Sequence, residues 1–276
     1  MPPKPVLIAA IALMLAAPTQ AQKAWAQTAA QTAHEPLRLS LGYDGRLSVI
    51  KVLEMQFEQR IGAAGFSAGA QLRSYGLLAA FKHFDIRASA SGPIASDGAE
   101  PDQFSYINHD GKRVREVQVG WRRDDVVATS QPAFGNLGDP PASRDQRLAA
   151  ADPLTQLMRI TLATPMRPCE GAPRLFDGKQ LYELAFSGAR ADAPDDDLRA
   201  LGVTQLVRCS VRYHEIAGFK KKPEAKRNGG LKGPISIAFG QMGQDGPWVL
   251  TDIRADTPIG PADIALRRVH ILRGQS

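Results

Sequence analysis

Runs in which every second residue is apolar, separated by turn residues, recur along most of this 276-residue chain. The clearest pair, residues 103–109 and 113–121, flanks Asp110-Gly111. An Asp-Gly pair between alternating runs predicts a β-hairpin, because both central residues of such a turn tolerate a positive φ. The pattern as a whole predicts a mainly β protein. We expect an antiparallel sheet of roughly ten or more strands that curves into an open or spiral β-barrel.

Two further stretches near the start of the sheet bear on its topology. Residues 46–60 alternate with period two, which predicts one long strand with one buried face. Residues 77–84 are apolar but short, so one or two helical turns and a buried strand both fit them.

One later segment predicts a helix. Asp152 suits the N-cap and Pro153 the first helical position, and the apolar residues that follow, beginning at Leu154, recur on one face. We expect a helix of about three turns near residues 152–163 that packs across the sheet or plugs an open end of the barrel.

The N-terminus predicts export. Lys4 precedes an apolar run at residues 6–17, and small residues at the spacing of a cleavage site follow, so residues 1–26 are interpreted as a signal peptide cleaved after Ala21 or Ala26. The run is shorter than the roughly 20 apolar residues that a membrane span needs. A retained N-terminal anchor is the alternative. We expect a periplasmic protein with no transmembrane span in the mature chain.

The remaining residues fit one domain. Residues 27–42 are predicted to form an N-terminal extension and residues 43–276 a single β-barrel-like domain. The formal net charge of +6 falls to about +4 without residues 1–26, which contain two lysines. So small and dispersed an excess suits anionic lipid headgroups or cell-wall polymers better than nucleic acid, and no nucleic-acid partner is predicted.

The chain has two cysteines, Cys169 and Cys209. In an oxidising compartment we expect them to form a disulfide, which closes a 40-residue loop. The chain-entropy model assigns such a loop roughly 3 to 4 kcal/mol. The alternatives are two buried thiols or a metal site. A metal site has less support because no CxxC motif or neighbouring histidine accompanies either cysteine. Neither a metal nor a cofactor is predicted.

A basic run follows residue 219. It contains five positive charges within eight residues, with Pro, Asn and Gly nearby that oppose regular structure. The ordinary interpretation is a solvated loop; the more specific one is contact with an anionic lipid or polymer surface. The residues of this predicted contact are Lys220, Lys221, Lys222, Lys226 and Arg227.

Residues 65–69, Gly-Phe-Ser-Ala-Gly, match the G-x-S-x-G nucleophile elbow of hydrolases, with Ser67 as the nucleophile. That motif requires strands before it and a helix after it, and only about 40 mature residues precede Ser67. The five histidines are scattered singly, without metal-ligand spacing. No catalytic residue is predicted, and the chain is expected not to be an enzyme.

Several short motifs occur in a fixed order between roughly residues 43 and 271. They are Gly-Leu-Leu-Ala-Ala-Phe from Gly76, Ser-Gly-Pro-Ile from Ser91, Asp-Pro-Leu-Thr from Asp152, Phe-Asp-Gly-Lys-Gln-Leu-Tyr from Phe176, and Cys-Ser-Val from Cys209. Together they resemble the domain-of-unknown-function 3108 family of exported bacterial proteins. The resemblance implies a periplasmic β-rich protein with a curved sheet or barrel, similar to envelope-integrity proteins and to lipoprotein or lipid carriers. The family has no established catalytic residues, so none is transferred.

These observations lead to one functional hypothesis and two alternatives. We expect a non-enzymatic periplasmic protein that supports cell-envelope integrity and holds a lipid or apolar ligand within the curved sheet. Its expected partner is a lipid, an envelope polymer or an envelope protein. The alternatives are an envelope-directed hydrolase that uses Ser67 and a purely structural protein-interaction module.

Overall fold

The computed structural model describes residues 36–63, 65–96, 98–163, 167–220, 233–258 and 260–274. The predicted signal peptide lies outside these residues, as do four of the five residues of the predicted anionic-surface contact: Lys221, Lys222, Lys226 and Arg227.

Alternating sequence gives long strands throughout the described chain, because period-two alternation buries one face of each strand. The strands are β1 (Leu37–Leu47), β2 (Ile50–Gly62), β3 (Gly65–Ser74), β4 (Phe84–Gly92), β5 (Ile94–Ala95), β6 (Gly98–Ala99), β7 (Gln103–Asp110), β8 (Arg113–Trp121), β9 (Val126–Gln131), β10 (Arg174–Phe176), β11 (Leu181–Asp192), β12 (Val203–Ala217), β13 (Ile235–Met242), β14 (Trp248–Thr257) and β15 (Gly260–Arg273). The described helices are α1 (Gly76–Phe81), α2 (Arg144–Leu148), α3 (Pro153–Thr161) and α4 (Asp196–Ala200), with a 3₁₀ turn at Arg167–Cys169.

Thirteen of these strands form one antiparallel sheet, in the order β10-β11-β12-β13-β14-β15-β1-β2-β3-β4-β7-β8-β9. Strands β5 and β6 pair separately. The edge strands β9 and β10 are not paired with each other, so the barrel is open. The prediction of a mainly β protein with a curved, open antiparallel sheet is confirmed.

The predicted helix is confirmed as α3. The Oδ1 atom of Asp152 accepts hydrogen bonds from the backbone N–H groups of Leu154 and Thr155, each at 2.9 Å, and Pro153 occupies the first turn. Met158 is fully buried. On the sheet side, Gln59 of β2 donates through Nε2 to Oγ1 of Thr161 at 2.9 Å. Helix α3 therefore covers the concave face of the sheet.

The segment between β9 and β10 bridges the gap between the two sheet edges. The indole N–H of Trp121 on β8 donates to the carbonyl of Ala150 at 3.0 Å. Ala151 then forms an isolated parallel bridge to Leu175 of β10. Further along the gap, the N–H of Gly218 after β12 donates to the carbonyl of Pro140 at 2.8 Å. Irregular backbone thus supplies part of the closure that strand pairing would give a complete barrel.

Two details of the sheet differ from the sequence expectations. Residues 46–60 are not one strand, because β1 ends at Leu47 and a turn at Ser48 and Val49 leads into β2. Apolar residues continue across this turn, which contains none of the usual Gly, Pro or Asn signals. In addition, β1 begins at Leu37 and lies inside the sheet between β15 and β2, so residues 37–42 of the expected extension belong to the sheet.

Antiparallel pairing places the connections at two opposite ends of the sheet. The end that we call the basic end carries the turn at Ser48 and Val49, α1, the β7–β8 turn, residues 132–142 after β9, the β10–β11 turn and residues 218–220. The opposite, acidic end carries residues 93–102, the β8–β9 turn, α4 with its flanking residues, and the β13–β14 turn.

The two ends differ in charge. In its described connecting segments the basic end has four lysines and two aspartates: Lys82, Lys112, Lys179, Lys220, Asp139 and Asp177. The acidic end has three arginines and eight carboxylates: Arg122, Arg123, Arg199, Glu100, Asp102, Asp124, Asp125, Asp195, Asp196, Asp197 and Asp245.

Candidate anion-binding pocket

Three connecting segments meet at the basic end and line an open cavity. They are residues 134–136 after β9, the β10–β11 turn at 177–180, and residues 218–220 after β12. The cavity has a volume of about 550 Å³. Its lining residues are Arg115, Phe134, Gly135, Asn136, Lys179 and Lys220. We call this cavity the basic pocket.

Two of the cations in the basic pocket contact the ring of Phe134. The guanidinium carbon of Arg115 lies 4.7 Å from the ring centroid, and Nζ of Lys179 lies 5.5 Å from it. These distances are in the range of cation–π attraction. Among the described residues, no ion pair joins Arg115, Lys179 or Lys220 to a carboxylate. The pocket therefore combines three positive charges that form no ion pair among the described residues with one aromatic face.

The turn that carries Lys179 is held by Asp177. Its Oδ1 atom accepts hydrogen bonds from the backbone N–H groups of Lys179 at 2.9 Å and Gln180 at 2.6 Å. Burial raises the pKa of the Asp177 carboxyl above its ordinary value, although these hydrogen bonds and the Lys179 charge act in the opposite direction. This turn thus fixes the backbone from which Lys179 projects.

The charge of Asp177 acts on three tyrosines. Burial, with a smaller contribution from the Asp177 charge, raises the pKa of Tyr106 to about 12. Burial also raises the pKa values of Tyr182 and Tyr213, whose ring centroids are 5.1 Å apart. All three phenols are therefore neutral at physiological pH.

Two glycines allow the segments around the pocket to approach closely. Gly178 has φ 97°, and a Cβ atom there would lie 2.5 Å from Cγ1 of Val117 on β8. Gly218 has φ 84°, and a Cβ atom there would lie 2.0 Å from the carbonyl oxygen of Lys179. Any larger side chain would force the three segments apart.

A second cavity of about 580 Å³ lies between α4 and strands β12–β15. Its main charges are paired within the protein. Arg208 donates to Asp252 at 3.0 Å and to Asp192 at 3.3 Å. Arg254 donates to Asp252 at 3.1 Å. Because these charges already satisfy one another, this cavity is a weaker candidate for a charged ligand than the basic pocket.

The disulfide prediction is confirmed. Cys169 in the 3₁₀ turn is bonded to Cys209 of β12, with their Cα atoms 6.0 Å apart. Both residues are buried. The bond fastens the chain that follows α3 to the strand that ends just before Lys220.

Ser67 does not occupy a nucleophile elbow. It lies within β3, exposed, opposite Arg60 of β2 and Ser91 of β4. The elbow is a sharp turn between a strand and a helix, and the backbone at Ser67 is an extended strand. Among the described residues, no group of three or more His, Cys, Asp or Glu side chains has metal-binding geometry.

Lys220 is the one residue of the predicted anionic-surface contact that the structure describes, and it lines the basic pocket. The sequence reasoning missed Arg115, Phe134 and Lys179. They come from three distant parts of the chain and share no motif. The only local signal was the Asp177-Gly178 turn beside Lys179.

The fold is a β-barrel-like module, and it is compatible with a binding or a structural role. No family model matches the chain, and no curated protein matches it significantly. Among solved structures, the chain is similar to the crystal structure of a beta-barrel-like protein of domain of unknown function DUF1849 from Brucella abortus. The two share 12% sequence identity with a TM-score of 0.48, over 87% of this chain and 99% of that one.

None of the helices in the described part of the chain combines the length and the apolar character that a membrane span requires.

Proposed function

We propose that this chain is a non-enzymatic periplasmic protein that binds an anionic component of the cell envelope in the basic pocket and so supports envelope integrity. The observation that carries the proposal is the set of three cations, Arg115, Lys179 and Lys220, around Phe134 without an ion pair to a carboxylate among the described residues. Cations without ion pairs in a concave site favour a ligand that brings its own negative charge.

Export is supported by the predicted signal peptide and by the disulfide, since disulfides persist in oxidising compartments. The resemblance to the domain-of-unknown-function 3108 family remains a prediction from the sequence, and it points in the same direction. None of the three supports depends on the geometry of the pocket.

The chemistry of the pocket suggests a ligand with two parts. A phosphate or carboxylate would meet the cations, and an apolar group would lie against Phe134. A lipid headgroup with the start of its acyl chains and a charged envelope polymer both provide this combination. Helix α3 covers the concave face where the sequence suggested a ligand, so we place the ligand at the basic end instead.

The two alternatives have less support. A hydrolase would need Ser67 activated on an extended strand, without the turn that exposes such a nucleophile. A purely structural module would need no unpaired cations around an aromatic ring. Hydrolytic activity lost on Ser67→Ala would revive the first alternative.

The experiment compares two ligands that share the anion but differ in the apolar part. Binding of short-chain phosphatidylglycerol below its micelle concentration and of inorganic phosphate is measured by calorimetry. The variant is Arg115→Gln, Lys179→Gln and Lys220→Gln together. The matched control removes three cations from the acidic end: Arg122→Gln, Arg123→Gln and Arg199→Gln.

We expect phosphatidylglycerol to bind more tightly than phosphate, and the pocket variant to lose at least tenfold in affinity for the lipid while the control retains it. Equal affinity for the two ligands would mean that the pocket binds anions but does not recognise the apolar part of a lipid. Absence of binding to both, or equal losses in the pocket variant and the control, would overturn the proposal. Circular dichroism of both variants checks that they remain folded.

A further inference from the structure

Large apolar side chains are exposed at the tips of the basic end. Val49 is 90% exposed and Ile50 51% in the turn between β1 and β2, and Phe81 is 84% exposed at the end of α1. The turn is built on Ser48 with φ 55°, where Gly or Asn is usual. A polar tip would satisfy the fold equally well, and exposed apolar side chains that gather at one end of a protein are a feature of interaction sites.

These tips lie side by side. The N–H of Tyr75, just before α1, donates to the carbonyl of Val52 on β2 at 2.8 Å. Nζ of Lys51 lies 4.3 Å from the ring centroid of Tyr75. At the other end of α1, the N–H of Gly111 donates to the carbonyl of His83 at 2.9 Å. A continuous rim therefore joins the β1–β2 turn, α1 and the β7–β8 turn.

Cations border the apolar tips along this rim. Lys82 follows Phe81 directly, and Lys112 lies in the β7–β8 turn, whose Gly111 is bonded to His83. Arg113 begins β8 opposite Asp110. All three cations are exposed, and among the described residues none of them forms an ion pair. Apolar tips next to exposed cations are typical of proteins that rest on an anionic bilayer.

We propose that the basic end docks on the surface of a bilayer that contains anionic phospholipids. Val49, Ile50 and Phe81 enter the boundary between headgroups and acyl chains, while Lys82 and Lys112 contact lipid phosphates. The bilayer is thus the partner of the end at which the basic pocket opens, and the biological role of this docking rests on the proposed function. The acidic end, with eight carboxylates against three arginines in its described connecting segments, would be repelled by the same surface.

A lipid surface fits this rim better than a protein partner does. The apolar side chains stand on separate protrusions, whereas a stable protein interface needs a contiguous, well-packed patch of roughly 800 Å² on each side. A fluid bilayer accommodates separate protrusions without shape complementarity. The charge difference between the two ends also selects one orientation on an anionic surface.

The test uses full-length mature protein and sedimentation with vesicles of phosphatidylcholine alone or of phosphatidylcholine with phosphatidylglycerol in a ratio of about 7:3. The apolar variant is Val49→Ser, Ile50→Ser and Phe81→Ser together. Its control, Val127→Ser with Leu272→Ser, removes two exposed apolar side chains that lie away from the rim, 52% and 66% exposed. The charge variant is Lys82→Gln, Lys112→Gln and Arg113→Gln.

We expect binding to the anionic vesicles that weakens with salt, a loss of at least tenfold in the apolar variant, and a loss of several-fold in the charge variant. The control should bind as the unmodified protein does. Equal binding to both vesicle types, no binding to either, or an apolar variant that binds normally would overturn the inference. So would a dimer in size-exclusion chromatography that the apolar variant abolishes, because the tips would then contact a second copy.

The residues in these variants are separate from those of the basic pocket. Vesicle binding that persists in the Arg115, Lys179 and Lys220 variant, while soluble lipid binding is lost, supports docking and pocket as two functions of one end. If the unmodified protein did not bind soluble lipid, only the pocket proposal would be refuted. If it did not bind vesicles, only the docking proposal would be refuted.

Discussion

The acidic and basic ends of the sheet differ in how many of their cations form ion pairs with carboxylates. At the acidic end, Arg122 lies 3.6 Å from a carboxylate oxygen of Asp102, and Arg199 lies 2.6 Å from one of Asp196. In the described connections of the basic end, Lys112 and Lys179 form no ion pair with a carboxylate. Exposed pairs contribute little to folding stability. The comparison therefore concerns binding: the acidic end pairs Arg122 and Arg199 with its own carboxylates and keeps an excess of negative charge, whereas the basic end leaves cations of its described connections without an ion pair.

Packing separates the two ends as well. At the basic end three connecting segments press against one another around Gly218, where a Cβ atom would meet backbone. At the acidic end the β13–β14 turn includes Gly243, with φ 71° and no atom within 4 Å of the position of a Cβ. The seam around Gly218 is thus packed, whereas the β13–β14 turn is open at Gly243, although a Cβ atom at Gly246 in the same turn would lie 1.7 Å from the carbonyl oxygen of Met242.

The largest expected effect is a loss of folding stability, and it compares the packed seam at Gly218 with the open position at Gly243. Gly218→Ala places a methyl group against the Lys179 carbonyl and also imposes a positive φ on an L-residue. Together these should lower the free energy of unfolding by roughly 2 to 4 kcal/mol. Gly243→Ala imposes only the backbone cost, about 1 kcal/mol. Urea unfolding measures both changes, provided that the unfolding free energy of the variants depends on urea concentration with a similar slope.

Gly218→Ala should also weaken binding of short-chain phosphatidylglycerol, because the carbonyl it displaces belongs to Lys179 of the basic pocket. Gly243→Ala should leave that binding unchanged. If both variants lost the same stability and the same affinity, the basic end would be no more tightly packed than the acidic one.

A smaller effect tests how Asp177 limits the positive charge of the basic end. Burial raises the pKa of this carboxyl in the folded protein. The neutral form therefore favours folding fully below the unfolded pKa of about 3.9, and this advantage is lost as the pH rises towards the folded pKa. Asp177→Asn keeps an oxygen acceptor for the Lys179 and Gln180 N–H groups.

Asp177→Asn should raise the free energy of unfolding at pH 7 by roughly 1 kcal/mol or less and change it little at pH 3. It should also strengthen lipid binding at pH 7 by a few-fold, since one negative charge near Lys179 is removed. Urea titrations at the two pH values and calorimetry measure these effects. A variant less stable at pH 7 than the unmodified protein would mean that attraction to Lys179 outweighs burial.

Most of the sheet could be predicted because its signals are local. Residues around Asp110-Gly111 alternate in step with burial, and the hairpin forms there with Gly111 and Lys112 as its two turn residues, one position later than Asp110-Gly111. The Asp152-Pro153 start of α3 likewise depends on neighbouring residues only. The turn at Ser48 was missed because Ser48 and Val49 include no Gly, Pro or Asn.

The candidate site could not be predicted in the same way. Arg115, Phe134 and Lys179 meet only because the segment after β9 spans the gap between the two edges of the sheet. That closure depends on long-range packing at Gly178 and Gly218, which no local pattern encodes. Lys220 could be predicted because it begins a run of like charges, which is visible in the sequence alone.

The smallest expected effect compares an ion cluster near the basic end with a pair at the acidic end. Glu54 accepts hydrogen bonds from Lys51 at 2.7 Å and from Arg73 at 2.6 Å, and these bonds hold the pKa of its carboxyl below the ordinary range. Its ionised form therefore stabilises the fold above the unfolded pKa of about 4.3, and this stability is lost as the pH falls through the folded pKa.

Glu54→Gln should lower the free energy of unfolding at pH 7 by about 0.5 to 1 kcal/mol, and the difference should vanish near pH 2. Asp196→Asn removes a carboxylate that is 97% exposed and should produce a smaller change. Because Lys51 keeps its 2.8 Å contact with Asp44, it should stay over Tyr75, and vesicle binding by Glu54→Gln should be nearly unaffected. A clear loss of vesicle binding would instead mean that the Lys51 and Glu54 pair positions the apolar tip, and that folding and docking are coupled at the basic end.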